Sequence, residues 1–228
     1  MSETTPADPS LTGEEVARSD GGVIFDATSF AAATASNAAQ MADLERFRTL
    51  LAEWNQSMNL VGPSALAGFW GRHAYDSAQL LQFAPDALTW ADLGAGAGFP
   101  GLVLAVLLKG RERAWVHLIE SMAKRCRFLQ AIVDELGLPA SVHNARAESL
   151  SLPVDIVTAR ACAPMSRLLE FASPYLRKGA TGLFLKGQDV EAELALATKC
   201  WDFDWDIMTS LSDPSGQIVR VKGLRRVS

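Results

Sequence analysis

From residue 88 onward, two periodicities alternate along the chain. Short apolar runs at 88–93, 115–119, 140–143, 154–159 and 182–186 read as buried strands. Between or after them, apolar residues recur at three- and four-residue spacing over 102–108, 123–136, 165–176 and 189–199, which predicts helices. Residues 205–211 and 218–222 close the chain as two strands around a turn at 213–216. Strand–helix alternation of this kind predicts an α/β fold: a mostly parallel sheet with helices on both faces and an antiparallel member in the final pair. Ahead of it, Met41, Leu44, Phe47, Leu50, Leu51 and Trp54 form one apolar stripe of a helix. A turn-rich stretch, 55–63, precedes a second helical run carrying Leu66, Phe69, Trp70, His73, Tyr75, Leu80 and Leu81, with Ser64 expected as its cap. The expected organisation is thus an extension over 1–39, a helical cap over 40–87 and the main domain over 88–228. The extension has few large apolar residues and is expected to be largely disordered, although its alanine-rich part, 27–39, has the propensity to be helical.

The composition fits one folded body. Of 228 residues, 49% are hydrophobic and 21% charged, which supplies a sizeable core and excludes wholesale disorder. No apolar run approaches the ~20 residues of a membrane helix. Cys126, Cys162 and Cys200 are odd in number and far apart, and His73, His117 and His143 share no ligand spacing with them, so neither a disulfide framework nor a metal site is expected. The first residues lack the basic and apolar regions of a signal peptide; the reading is a reduced, cytoplasmic protein.

The most informative segment is Asp92-Leu-Gly94-Ala-Gly96-Ala-Gly98-Phe99-Pro-Gly101, set between a strand and a helix. Glycines allow a tight turn and let a ligand lie against the main chain. Two frames fit. Gly96-x-Gly98-x-x-Gly101, with Glu120 nineteen residues later, satisfies the dinucleotide fingerprint and would make the protein an NAD(P)-dependent oxidoreductase. The frame from Gly94, with Asp92 near the strand end, has the form of an S-adenosylmethionine loop. A carboxylate suits a sulfonium cofactor and repels a pyrophosphate, which favours the methyl donor. Glu120, ending the second strand, can accept ribose hydroxyls in either case, and Ala147-Glu148 follows the third strand at the same edge of the sheet.

Six ordered motifs extend this reading: Trp54-Asn55-Gln-Ser-Met-Asn59-Leu60, Arg72-His73-Ala-Tyr-Asp76-Ser77, the loop from Gly94 to Gly101, Glu120-Ser-Met-Ala-Lys124-Arg125, Arg146-Ala147-Glu148 and Ala159-Arg160-Ala161, with Lys186-Gly187 beyond them. Over residues 44–221 the chain resembles the bacterial small-subunit rRNA guanine-N7 methyltransferase G family, also called glucose-inhibited division protein B. The resemblance implies a Rossmann-like, class I methyltransferase fold with a seven-stranded sheet. It also implies transfer of a methyl group from S-adenosylmethionine to N7 of the guanine at position 527 of 16S rRNA. By the motif match, Gly94, Phe99, Ala147, Glu148 and Arg160 fall on cofactor-contacting positions, beside Asp92, Gly96, Gly98 and Glu120 from the loop reading. Ala95 is a departure, since many relatives carry Ser or Thr there.

Guanine N7 is an unprotonated in-plane lone pair, so transfer to it needs alignment rather than a general base, and no Cys–His or paired-carboxylate site is evident. Arg160, within the small apolar run 158–162, is the candidate catalytic residue, placed to reach guanine O6 or a phosphate. Asn55, Asn59, Arg72 and His73 on the cap, Lys124 and Arg125 at a helix start, and Lys186 are the candidate substrate contacts. The implied partner is 16S rRNA, in the small subunit or an assembly intermediate, met by a monomer; a non-catalytic rRNA-binding assembly factor is the remaining alternative.

Net charge is −5, which on its face argues against a nucleic-acid partner. Its distribution removes the objection. Residues 1–39 hold six acids and one base, whereas 40–228 hold 20 of each. Within that neutral body, 109–127 carries six bases against Glu112 and Glu120, and 220–226 carries four bases and no acid.

Overall fold

The computed structural model describes residues 25–227. Seven strands form one sheet in the order β3-β2-β1-β4-β5-β7-β6. They are β1 (Thr89–Leu93), β2 (Trp115–Glu120), β3 (Ala140–Asn144), β4 (Ile156–Arg160), β5 (Thr181–Lys186), β6 (Trp201–Thr209) and β7 (Gln217–Arg226). The first five run parallel; β7 is antiparallel to both β5 and β6. The expected α/β class and the antiparallel closing pair are therefore present.

Helices cover both faces of the central strands β1, β4 and β5 because these are largely apolar on both sides, whereas the edge strand β3 carries Ser141, His143 and Asn144. On one face lie α6 (Gly101–Leu108) and α7 (Ala123–Leu136), packed on Leu118, Val116 and Leu183 with the cap helices above them. On the other lie α8 (Met165–Leu176) and α9 (Val190–Ala197), packed on Leu93, Val157 and Phe184. α6 is apolar around its whole circumference and almost entirely buried, as a helix sandwiched between sheet and cap must be. The alternation expected between β3 and β4 is broken: only a 3-10 turn, Ala147–Ser149, connects them. β6 and β7 are longer than the 205–211 and 218–222 runs because Trp201 and Leu224 are buried at their far ends, across a bulge at Asp202/Asp204.

The cap differs from expectation in three places. Its first element is α1 (Ala27–Thr34), capped by the Asp26 carboxylate accepting the Ser29 N–H. Phe30 is fully buried against Trp70, and Phe25 stacks on Tyr75 with ring centroids 4.4 Å apart. Residues 25–39 therefore belong to the folded cap rather than to a disordered extension; residues 1–24 lie outside the described residues. Phe30→Ala is expected to lower stability by about 3 kcal/mol in urea unfolding; a loss below about 0.5 kcal/mol would mean that α1 does not hold to the body. Second, α2 (Ala38–Met58) runs through half of the predicted turn region, opening on an Asn37–Gln40 capping box and ending at Asn59 in the left-handed conformation. Third, the next run is not one helix capped by Ser64. α3 (Pro63–Ala67) starts after Gly62 with proline at its first position. A π-helical stretch, Phe69–Tyr75, then leads into α4 (Asp76–Ala78) and α5 (Leu80–Phe83). The wider turn buries Phe69 and Ala74 while Arg72 stays exposed and His73 half-buried.

Candidate functional site

The strand order reverses between β1 and β4, and the crevice at the carboxyl ends of parallel strands is where α/β sheets take ligands. Here the chain places a cleft of about 700 Å³. Its floor is the loop after β1, with Gly94 and Gly96 on the surface and Phe99 behind them. Three glycines of the loop have left-handed φ values, +73° at Gly94, +54° at Gly96 and +94° at Gly98. Gly101 serves a different end. A side chain there would stand 2.3 Å from the Leu118 methyl and 2.7 Å from Asp92 Oδ2, so α6 can lie against β1 and β2 only because the residue is glycine.

Two carboxylates brace this loop. Glu120, 4% exposed, accepts the Gly96 N–H at 3.1 Å and the Met122 N–H at 2.8 Å, with the Arg125 guanidinium 3.7 Å away. Asp92 is fully buried and does not line the cleft. Its Oδ2 accepts the Gly101 N–H at 2.9 Å, while Oδ1 has no partner. Burial pushes its carboxyl up to about 7, against the opposing pull of the Gly101 N–H and Arg160. The fold thus holds a proton on Asp92 where the unfolded chain, with a pKa of 3.8, has lost it. Stability must fall as pH rises from about 4 to about 7 by this contribution and level off above it. Urea unfolding across that window is expected to show this decline in the wild type relative to Asp92→Asn; parallel curves would refute it.

Arg160 ends β4 on the cleft wall. Its Nη1 donates to the Arg72 carbonyl at 3.0 Å and to His73 Nδ1 at 2.8 Å, and lies 3.6 Å from Asp76 Oδ2. Its guanidinium stands 5.0 Å over the Phe99 ring, and His73 stacks on the same ring at 4.9 Å. Arginine only donates, so Nδ1 of His73 is the acceptor and its proton sits on Nε2. Burial, then the Arg160 and Arg72 charges, push His73 down to about 4, so it is neutral at physiological pH. Asp76 Oδ1 accepts from the Ser212 hydroxyl at 2.7 Å and from the Gln79 amide at 2.9 Å. Gln79, fully buried, also donates to Ser210 and accepts the Leu211 N–H at 2.7 Å. One polar network therefore ties Arg160 on the sheet to the cap and to the β6–β7 turn.

The cleft brings together Gly94, Gly96, Phe99, Arg160, Arg72, His73, Arg125 and Lys186. Other candidates stand off its walls. Gly98 lies beneath the loop, where a side chain would overlap Leu102. Asn55 makes two bonds to the Val61 backbone and shapes the turn after α2; Asn59 is its exposed end. Lys124 donates to the Ser57 carbonyl. Lys186, on the cleft wall, is itself engaged: it donates to the Ala163 carbonyl and pairs with Glu193 at 2.6 Å. Ala147 accepts the Tyr175 hydroxyl at 3.2 Å, and Glu148 is exposed beside it. Lys109, counted among the basic run, pairs with Asp43. Asp76, Gln79, Ser210 and Ser212 were not singled out as site residues. The signals were Asp76, inside the Arg72–Ser77 motif, and Gln79, polar in the apolar run 78–81.

The model of the family described as rRNA small subunit methyltransferase G matches residues 40–218. The chain belongs to that family. Relatives named ribosomal RNA small subunit methyltransferase G support it. That of Caulobacter vibrioides is 64% identical over 204 residues, covering 90% of this chain and 94% of its own. That of a Bradyrhizobium species is 47% identical over 187 residues, covering 80% and 84%. Among solved structures, an S-adenosylmethionine-dependent methyltransferase from Aquifex aeolicus has a TM-score of 0.53 at 17% identity, covering 76% of this chain and 97% of that one. The magnesium protoporphyrin IX methyltransferase of Synechocystis also reaches 0.53, at 12% identity over 78% and 97%. At those identities the likeness shows the fold alone: the chain has the methyltransferase sheet with a helical cap. The resemblance seen in the motifs is borne out as family membership.

Proposed function

We propose that this protein transfers the methyl group of S-adenosylmethionine to N7 of the guanine at position 527 of 16S rRNA, acting as a cytoplasmic monomer on the small subunit or its assembly intermediate. The observation that carries the reading is the juxtaposition, in a member of this family, of the glycine loop and Arg160 across one cleft. Family membership favours it over the dinucleotide frame.

The residues present fit the cofactor. Gly94 and Gly96 present bare main chain on the cleft floor, and the Glu120 carboxylate, behind the loop rather than in the cleft lining, has lone pairs left for hydroxyl donors. When bound, S-adenosylmethionine supplies an electrophilic methyl group on a positively charged sulfur. The protein supplies position and field. Asp92 and Glu120 hold the loop from beneath, and Arg160 keeps the donors that Arg72 and His73 do not use for the guanine O6 or a neighbouring phosphate. No residue has to remove a proton, and neutral His73 positions Arg160 rather than acting as a base. Exposed Arg72 and Arg127 suit the phosphate backbone.

The test incubates the full chain with methyl-labelled S-adenosylmethionine and small subunits, or naked 16S rRNA, from a strain lacking the modification. Label in N7-methylguanine at position 527 is expected. Label at another atom or nucleotide would overturn the specificity, and no label with either substrate would leave the assembly-factor reading in its place.

A further inference from the structure

β3 is an edge strand, and α7 covers the face of it that carries Val142. Ser141 and His143 project on the other face, beside Trp115 and His117 of β2, since His117 pairs with Ser141 in the register and alternate residues share a face. Three polar atoms meet there. His117 Nδ1 is 3.0 Å from Ser141 Oγ and 3.1 Å from His143 Nε2, and Ser141 Oγ is 3.1 Å from His143 Nε2. The Trp115 N–H donates to the same hydroxyl at 3.1 Å. The imidazole rings are 5.2 Å apart, tilted by 49°, and both are half-buried.

Two hydrogen bonds, one imidazole N–H to Ser141 Oγ and the Ser141 hydroxyl to the other ring nitrogen, satisfy all three atoms and leave one side of the triangle without a proton. A protonated ring nitrogen cannot accept, so at most two protons serve its three sides. Lone pairs of all three atoms can instead share one cation. Two donors about 2.1 Å from a common ion lie about 3.0 Å apart at a right angle and about 3.4 Å apart at the tetrahedral angle. The three separations match the lower end of that range.

We propose that His117, His143 and Ser141 form a binding site for a late first-row divalent transition cation, of the zinc, nickel or copper type, on the open edge of the sheet. Two imidazoles select such ions over magnesium and calcium, which require oxygen donors. Ser141 is the weak third donor, held in orientation by Trp115, and water completes the shell. Both histidines lie below their ordinary range through burial, with the His143 charge adding to the effect on His117, so their lone pairs are free at neutral pH. Among the described residues no three His, Cys, Asp or Glu side chains cluster for a metal, so the third protein donor here is a hydroxyl and the site a weak one. The bound ion would tie β3 to β2.

The experiment titrates zinc chloride into the untagged, chelator-treated full chain by calorimetry. One ion per chain is expected, with affinity reduced about tenfold in His117→Gln and in His143→Gln, and less in Ser141→Ala. Melting curves check that the variants fold. Copper(II) paramagnetic resonance on the wild type does not depend on them: it should show splitting from two imidazole nitrogens. Absence of saturable zinc binding, unchanged affinity in the double histidine variant, or a spectrum dominated by sulfur ligation would each overturn the site.

Discussion

Gly96→Val is expected to abolish S-adenosylmethionine binding while the protein stays folded. A side chain at Gly96 meets nothing closer than the Gly94 carbonyl at 3.6 Å, so it projects into open space at the floor of the cleft. The cost to folding is the left-handed backbone at φ +54°, roughly 1–3 kcal/mol for a residue with a Cβ, against about 5–15 kcal/mol of total stability. Cofactor binding has no such margin, because the added atoms fill the space the ligand needs against the main chain. Gly101→Val is the contrasting variant. Its Cβ would collide with Leu118 and Asp92, both fully buried and unable to move aside, so it should lose the fold as well. Calorimetric titration with S-adenosylmethionine and S-adenosylhomocysteine, beside urea unfolding, separates the two. Normal affinity in Gly96→Val would refute the loop as the cofactor site.

Arg160→Ala should reduce the rate of methyl transfer about 100-fold or more while cofactor affinity changes far less. The side chain is only 20% exposed and is held at four points, by the Arg72 carbonyl, His73, Asp76 and the Phe99 face. Such tethering gives a donor fork one orientation at the cleft wall, and orientation is what transfer to a bare lone pair requires. Its removal also leaves Asp76 buried without its cation, at a stability cost of roughly 2 kcal/mol. Arg160→Lys retains a charge near Asp76 but not the planar fork, so stability should recover more than rate. Single-turnover rates with saturating cofactor measure this, and a fully active Arg160→Ala enzyme would remove Arg160 from the mechanism.

What could be read beforehand depended on how local the cause was. The helices at Ala123–Leu136 and Met165–Leu176 have the predicted bounds, because each carries a clean apolar stripe closed by a glycine shortly after its last turn. The loop of glycines was legible for the same reason, since left-handed backbone and close approach are demands on single positions. The cap was misjudged where distant partners decide the outcome. Alanine-rich 27–34 looked like part of a tail because its one anchor, Phe30, acquires meaning only against Trp70. Asp92 was placed beside the cofactor by its strand-end position, but the depth at which β1 lies turns it into a brace for Gly101.

The sequence by itself determined the class of fold, the order of strands and helices from residue 88 onward, the glycine loop and the family, since those follow from periodicity, glycine spacing and ordered motifs within short windows. Only the tertiary structure decided which of the candidate residues face one cleft, that Arg160 is clamped by Asp76 and His73, and that Gln79 joins the cap to the β6–β7 turn 131 residues away. The reason is physical: hydrogen bonds and ion pairs are set by distances of about 3 Å, and such distances between remote residues exist only once the sheet and its cap have packed.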